Sequence, residues 1–82
     1  MYLNPDRMSP DFRRRIARWL EANGCRHHVA LEPIIIKGGV AEYVALCRKD
    51  RKSLQRMRIV DCDAVPLGVK RLRIRIPLSA VR

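Results

Sequence analysis

Apolar residues recur at helical spacing near the start of the chain. Their positions follow i, i+4, i+7 and i+8, which places them along one stripe of an α-helix. The stripe consists of Phe12, Ile16, Trp19 and Leu20. Ser9-Pro10 precedes it, and a serine cap followed by proline is typical of a helix start, while Gly24 supplies a stop. The pattern predicts a helix over residues 10–22 with Trp19 in the core.

Beyond this helix the pattern changes to that of β-strands. An apolar run over residues 29–36 contains Pro33, which must stand at an edge or at a break because proline has no ladder donor. Lys37-Gly38-Gly39 then separates it from a second run over 40–48, which predicts a hairpin. The second run is apolar at both alternations, which is typical of a strand that is covered on both faces or is central in the sheet. Because one helix covers one face, we expect a second copy of the chain, in a homodimer, to cover the other.

Two further strands are predicted over residues 54–62 and 69–76, each with apolar and basic residues in alternation. If these strands are antiparallel neighbours, five arginines share one face of the sheet. This candidate anion or partner surface consists of Arg56, Arg58, Arg71, Arg73 and Arg75. Arginines that avoid the apolar stripe of the helix form a secondary basic surface, consisting of Arg14, Arg15 and Arg18 together with Arg13. Both surfaces are open to two interpretations, a phosphate-binding face and a solvated outer face.

The order of these elements predicts an α+β fold, with one N-terminal helix packed on an antiparallel sheet of three or four strands. Residues 1–8 show no periodic pattern and are expected to form a loose N-terminal arm. Residues 9–82 then form a single α+β domain, since the chain of 82 residues allows only one modest core.

The net charge of +10 favours an anionic partner, whether nucleic acid or an acidic protein surface. Fourteen of the 18 basic residues are arginine, which suits phosphate recognition but also follows from GC-rich coding. No apolar run is long enough to span a bilayer, and the first ten residues lack the apolar core of a signal peptide. We therefore expect a cytoplasmic protein without a membrane partner.

No spacing typical of a catalytic site or a phosphate-binding loop occurs in the chain, so we expect no enzyme activity and no cofactor. A metal site could combine Cys25 and His27 with Cys47 or Cys62. Zinc sites usually show a second close pair of ligands, and this chain has none. We therefore expect free cysteines and no bound metal.

Three short segments resemble a group of small uncharacterised proteins of actinobacteria and their phages. The matching segments are Trp19 with Asn23-Gly24, Ile34 with Ile36, and Val65-Pro66-Leu67. The sequence departs from the pattern of that group at Lys37-Gly38-Gly39 and in the basic strand after Leu67. The resemblance implies an origin rather than an activity, and it assigns a role to no residue.

Two functional hypotheses follow from the sequence. The first is a small basic, non-enzymatic interaction module, of phage origin, that binds a host protein or itself. The alternative is a nucleic-acid-binding protein that uses an arginine-lined face of the sheet or the helix. Aromatic residues on the sheet would discriminate between them, since single-strand binders combine basic with stacking residues. Tyr43 is the one aromatic residue within a predicted strand.

Overall fold

The computed structural model describes residues 1–48, 58–60 and 66–81, and it confirms an α+β fold with an N-terminal helix. The described elements are β1 (Tyr2–Leu3), α1 (Pro10–Ala22), β2 (His27–Ala30), β3 (Ile34–Lys37), β4 (Val40–Arg48), β5 (Ile59–Val60) and β6 (Gly68–Arg73), with 3₁₀ turns at Pro5–Arg7 and Leu78–Ala80. Within these residues, no helix is long and apolar enough to cross a membrane.

The helix has the bounds that the sequence predicts. The Ser9 hydroxyl oxygen accepts a hydrogen bond from the Phe12 N–H at 3.2 Å, and proline occupies the first turn. At the other end Gly24 adopts a φ of 100°, a left-handed conformation that ends helices and favours glycine. Local capping chemistry therefore accounts for both ends of α1.

The central strand of the sheet is β4, which has partners along both edges. Ala45 pairs with Val29 of β2 and with Gly68 of β6, so these two strands lie on opposite edges of β4. Glu42 likewise has one partner on β3 and one on β6. Strands β2 and β3 thus follow one another along the same edge, separated by the break predicted at Pro33.

The sheet is larger than predicted and is mixed rather than purely antiparallel. Six strands are described in place of three or four, and β5 pairs in parallel with β2. The predicted hairpin is confirmed between β3 and β4. Gly38 and Gly39 have φ of 59° and 74°, and two positive φ values suit the tight turn of a two-residue hairpin.

The N-terminal segment is not the loose arm that the sequence predicts. Tyr2–Leu3 pairs antiparallel with β3, and the Ile36 N–H donates to the Met1 carbonyl oxygen at 2.8 Å. Leu3 packs against the core and Pro5 is fully buried. A strand of two residues is too short to show alternation, which is why the sequence pattern missed it.

The described parts of the third and fourth predicted strands, β5 and β6, are not neighbours, so the antiparallel pairing that the five-arginine face requires is not found among the described residues. β5 lies against β2, whereas β6 pairs with the opposite edge of β4. Burial explains the arrangement, because Ile59 beside Val29 joins the core under α1. Alternation indicates which face of a strand is buried but does not identify the strand beside it.

The core lies between α1 and one face of the sheet. Trp19 is only 2% exposed, as the sequence predicts, while Phe12 lies at the margin with 36% exposed. On β4 the buried alternation contains Tyr43 between two small residues, Ala41 and Ala45, which leave room for the helix above them. The main core residues are Ile16, Trp19, Leu20, Cys25, Val29, Ile34, Ala41, Tyr43, Ala45 and Ile59.

Asn23, at the end of α1, fastens the segment that follows β6. Its Oδ1 accepts hydrogen bonds from the Arg75 and Ile76 N–H groups at 2.7 and 2.8 Å. Its Nδ2 donates to the Ile76 carbonyl oxygen at 3.1 Å, and the Trp19 Nε1 donates to the same oxygen at 2.7 Å. One amide side chain thus joins the helix end to a segment more than fifty positions away.

Replacing this amide should therefore loosen the C-terminal segment. Asn23→Ala removes the side-chain amide that forms these hydrogen bonds, and water replaces only some of them. We therefore expect the free energy of unfolding to fall by about 1–3 kcal/mol. Urea denaturation monitored by Trp19 fluorescence measures it. Asn23→Asp keeps the acceptor oxygen and should lose less stability. Equal losses of stability in the two variants would show that Oδ1 of Asn23 has no special role.

Candidate nucleic-acid interface

The sheet face opposite α1, here called the outer face, combines basic and apolar side chains. Paired residues of antiparallel strands point to the same face, so the strand pairing determines its composition. One row across the sheet joins Tyr2, Ile35, Glu42 and Arg71, a second joins Lys37, Val40 and Arg73, and a third joins Val44 and Val69. Pairing and alternation thus place the basic residues of two strands on one surface.

Two of the five predicted stripe arginines, Arg71 and Arg73, lie together on this outer face, and both are exposed. Arg58 precedes β5 on the other side of the sheet, and Arg75 follows β6 and is held through its backbone by Asn23. Arg56 lies outside the described residues. Among the described residues β5 and β6 are not adjacent, so the strand pairing on which the surface of five arginines depends is not found there.

The aromatic residue that the sequence places on a strand, Tyr43, is buried, whereas Tyr2 is exposed. Tyr43 is 4% exposed and belongs to the core, where burial and then a hydrogen bond with Cys25 raise the pKa of its hydroxyl. A side chain buried in this way is not free to stack on a ligand. Tyr2 is 63% exposed, and its partner Ile35 lies in the same row as Arg71. The aromatic residue of the outer face is therefore Tyr2, which lies in the segment predicted to be a loose arm.

The charge of the outer face is positive. Arg71 Nε donates to Glu42 Oε2 at 3.1 Å, an exposed ion pair that contributes little stability. Lys37, Arg71 and Arg73 carry three positive charges against the one negative charge of Glu42, which leaves +2 on the described outer face. A ligand for this surface should carry negative charge.

Four arginines come together on the other side of the molecule, between α1 and β5. Together with three apolar residues they line a cavity of about 350 Å³. The lining among the described residues consists of Arg13, Arg14, Ala17, Arg18, Arg58, Ile59 and Val60. This set, here called the arginine groove, joins residues of the predicted helix surface to Arg58 of the predicted strand stripe. Only the tertiary structure brings them together.

Arg15, the remaining residue of the predicted helix surface, points away from the groove. Its Nε donates to the Val81 carbonyl oxygen at 3.0 Å, so it attaches the chain beyond β6 to the helix. Arg13 is a groove residue instead, and its Nε donates to the Pro5 carbonyl oxygen at 3.1 Å. The secondary basic surface thus divides into three groove residues and one structural residue.

The described residues contain no group of three His, Cys, Asp or Glu side chains that could hold a metal ion. Cys25 is buried with a free thiol, and its Sγ donates to the His27 carbonyl oxygen at 3.5 Å. Cys62 lies outside the described residues.

Comparisons with protein-family models, with curated proteins and with solved structures gave no match. Function therefore has to be argued from the two basic surfaces.

Proposed function

We propose that the protein binds single-stranded nucleic acid on its outer face and catalyses no reaction there. The observation that carries this proposal is the exposed ring of Tyr2 in the same row of the sheet as Arg71. Proteins that bind single strands combine aromatic side chains, on which bases stack, with basic groups that follow the phosphates. The outer face contains both kinds of group.

The geometry of the face suits an extended strand. Tyr2 and Arg71 lie three strand spacings apart, about 14 Å, so a base on the ring and a phosphate at the guanidinium belong to different nucleotides. Arg71 and Arg73 stand two residues apart on β6, about 7 Å, which lets each contact its own phosphate. Lys37, in the row of Arg73, adds a third cation.

The apolar residues between the charges support the same ligand. Ile35 is 44% exposed and Val69 is 59% exposed, and both present flat aliphatic surface on which a base can pack. A second copy of the chain would also cover these residues, but two outer faces brought together would place like charges of +2 opposite one another. Charge therefore favours an anionic ligand over self-association on this face.

A single strand fits better than a duplex. Bases in a duplex are stacked inside the helix, where Tyr2 has no access to them, whereas unpaired bases expose their faces. The described outer face also presents a sheet rather than a helix that could enter the major groove. The expected binding is largely indifferent to sequence, because phosphate contacts and stacking carry little base information.

Fluorescence anisotropy with labelled random single strands and with the matched duplex, at about 50–100 mM salt, tests the proposal. We expect the single strand to bind more tightly than the duplex. Its log affinity should fall with log salt by about 0.7 for each phosphate neutralised.

Tyr2→Ala should weaken binding by roughly fivefold to a hundredfold, which corresponds to about 1–3 kcal/mol of stacking. Arg73→Glu should weaken binding to every sequence and should lower the salt dependence.

Arg26→Glu is the matched control, since Arg26 is exposed in the connection between α1 and β2 and lies outside both basic surfaces. It changes net charge as Arg73→Glu does and should have a smaller effect. Equal losses for the two variants, or equal affinity for single strand and duplex, would contradict a specific outer face. Dimers in sedimentation that dissociate in Val69→Glu would instead favour a second copy as the occupant.

A further inference from the structure

The arginine groove lies on the opposite side of the sheet from the outer face, so it has to be explained separately. Arg13 and Arg14 lie on one turn of α1 and Arg18 lies on the next, about 6 Å from Arg14 along the helix axis. Arg58 faces them from the start of β5. Four arginine residues therefore contribute to the lining of one cavity.

Two of these arginines have contacts within the described residues. Arg14 forms an ion pair with Asp11, and Arg13 donates to the Pro5 carbonyl oxygen. For the side chains of Arg18 and Arg58, the described residues supply no hydrogen-bonding or ionic partner. No acidic residue occurs among the described residues that line the groove. Such a cluster repels itself and is stabilised by an anion between its members.

The apolar residues of the groove indicate that its ligand also has an apolar part. Ala17, Ile59 and Val60 contribute apolar surface to the lining of the groove, and Ile59 also belongs to the core. A cavity of about 350 Å³ exceeds what a bare inorganic anion needs and lies at the lower end of the range for organic ligands. The ligand should therefore combine an anionic group with a less polar body of nucleoside size.

We propose that the arginine groove binds a phosphate monoester carried on a nucleoside, with the phosphate between Arg18 and Arg58. The guanidinium fork matches phosphate oxygens in paired hydrogen bonds, and the nucleoside lies on Ile59 and Val60. The phosphate monoester has two sources, a free nucleotide and the phosphorylated end of a nucleic-acid strand. The chemistry of recognition is the same for both, and the site does not depend on the outer face.

Isothermal titration calorimetry with adenosine monophosphate, adenosine and inorganic phosphate tests the site. We expect adenosine monophosphate to bind more tightly than either part alone. Arg18→Gln and Arg58→Gln should each weaken it by about tenfold, the effect of losing a charge-assisted hydrogen bond. Arg26→Gln is the matched control and should retain the affinity. Circular dichroism of each variant confirms that the fold is kept.

A second arm identifies the source of the phosphate. If the groove binds strand ends, a short strand with a 5′-phosphate should bind more tightly than the same strand without it. This difference in affinity should be lost in Arg18→Gln. Equal binding of the two strands, with adenosine monophosphate still bound, assigns the groove to free nucleotide. No heat of binding at about 1 mM adenosine monophosphate overturns the proposal. So does adenosine binding as tightly as its phosphate, or a control variant that loses as much as Arg18→Gln.

Discussion

Trp19→Ala should destabilise the protein by about 3–5 kcal/mol, the largest effect we expect from one substitution. The ring is 2% exposed and packs among the core residues of α1 and the sheet, so its removal leaves a large cavity. The variant also loses the hydrogen bond from Nε1 to the Ile76 carbonyl oxygen. The free energy of unfolding of a small domain is about 5–15 kcal/mol in total, so this loss should leave a larger fraction of the protein unfolded.

Urea denaturation followed by circular dichroism measures this loss, because the variant has no other tryptophan to report by fluorescence. Phe12→Ala is the matched comparison from the same apolar stripe. Phe12 is 36% exposed, so we expect its replacement to cost about 1 kcal/mol. A Trp19→Ala protein with an unchanged denaturation midpoint would contradict the packing of α1 on the sheet.

Stability should also fall at alkaline pH through Tyr43. Burial, followed by contact with Cys25, raises the pKa of the Tyr43 hydroxyl above its ordinary value of about 10. Between that ordinary value and the raised pKa, the unfolded chain loses the proton and the folded chain keeps it. In that range the free energy of unfolding falls by about 1.4 kcal/mol for each pH unit. Below about pH 10 the stabilisation by the protonated Tyr43 is fully present.

Denaturation curves of the wild-type protein and of Tyr43→Phe, recorded from about pH 8 to 11.5, isolate this effect. The difference in stability between the two proteins should be constant below about pH 10 and should shift in favour of Tyr43→Phe above it. Tyr2→Phe changes the exposed tyrosine and should keep the alkaline loss of the wild type. Parallel curves for all three proteins would show that Tyr43 ionises as easily in the folded state as in the unfolded state.

Local chemistry accounts for the part of the fold that the sequence predicts. Ser9 and Gly24 determine the ends of α1, and Gly38-Gly39 determines the turn between β3 and β4. Each signal lies within a few residues of the structure it specifies, so it can be recognised without knowing the rest of the chain. The buried position of Trp19 follows from periodicity in the same way.

Strand partners could not be predicted from the same signals. Arg71 and Arg73 alternate with apolar residues on any edge of the sheet, and the alternation is the same whether β5 or β4 lies beside them. The choice depends on where Ile59 is buried, which is a contact between distant segments. Recognition of the arginine groove needs the same long-range information, since Arg58 meets the helix only in the folded chain.

The strand that contains Tyr2 is too short to be predicted from periodicity. A strand of two residues contains a single alternation, which no window of the sequence can distinguish from chance. Its position depends on the exposed edge of β3, where Tyr2 pairs with Ile35. The residue on which the proposed function most depends was therefore the least visible in the sequence.

Chemical-shift mapping by NMR, with an unlabelled random single strand titrated into isotope-labelled protein, tests the central claim most directly. We expect the amides of Tyr2, Ile35, Arg71 and Arg73 to shift together as the strand concentration rises. These residues come from three separate strands but lie on one face. An unphosphorylated strand should leave the arginine groove unchanged. Shifts confined to Arg13, Arg14, Arg18 and Arg58, or no shifts at all, would contradict the assignment of the outer face.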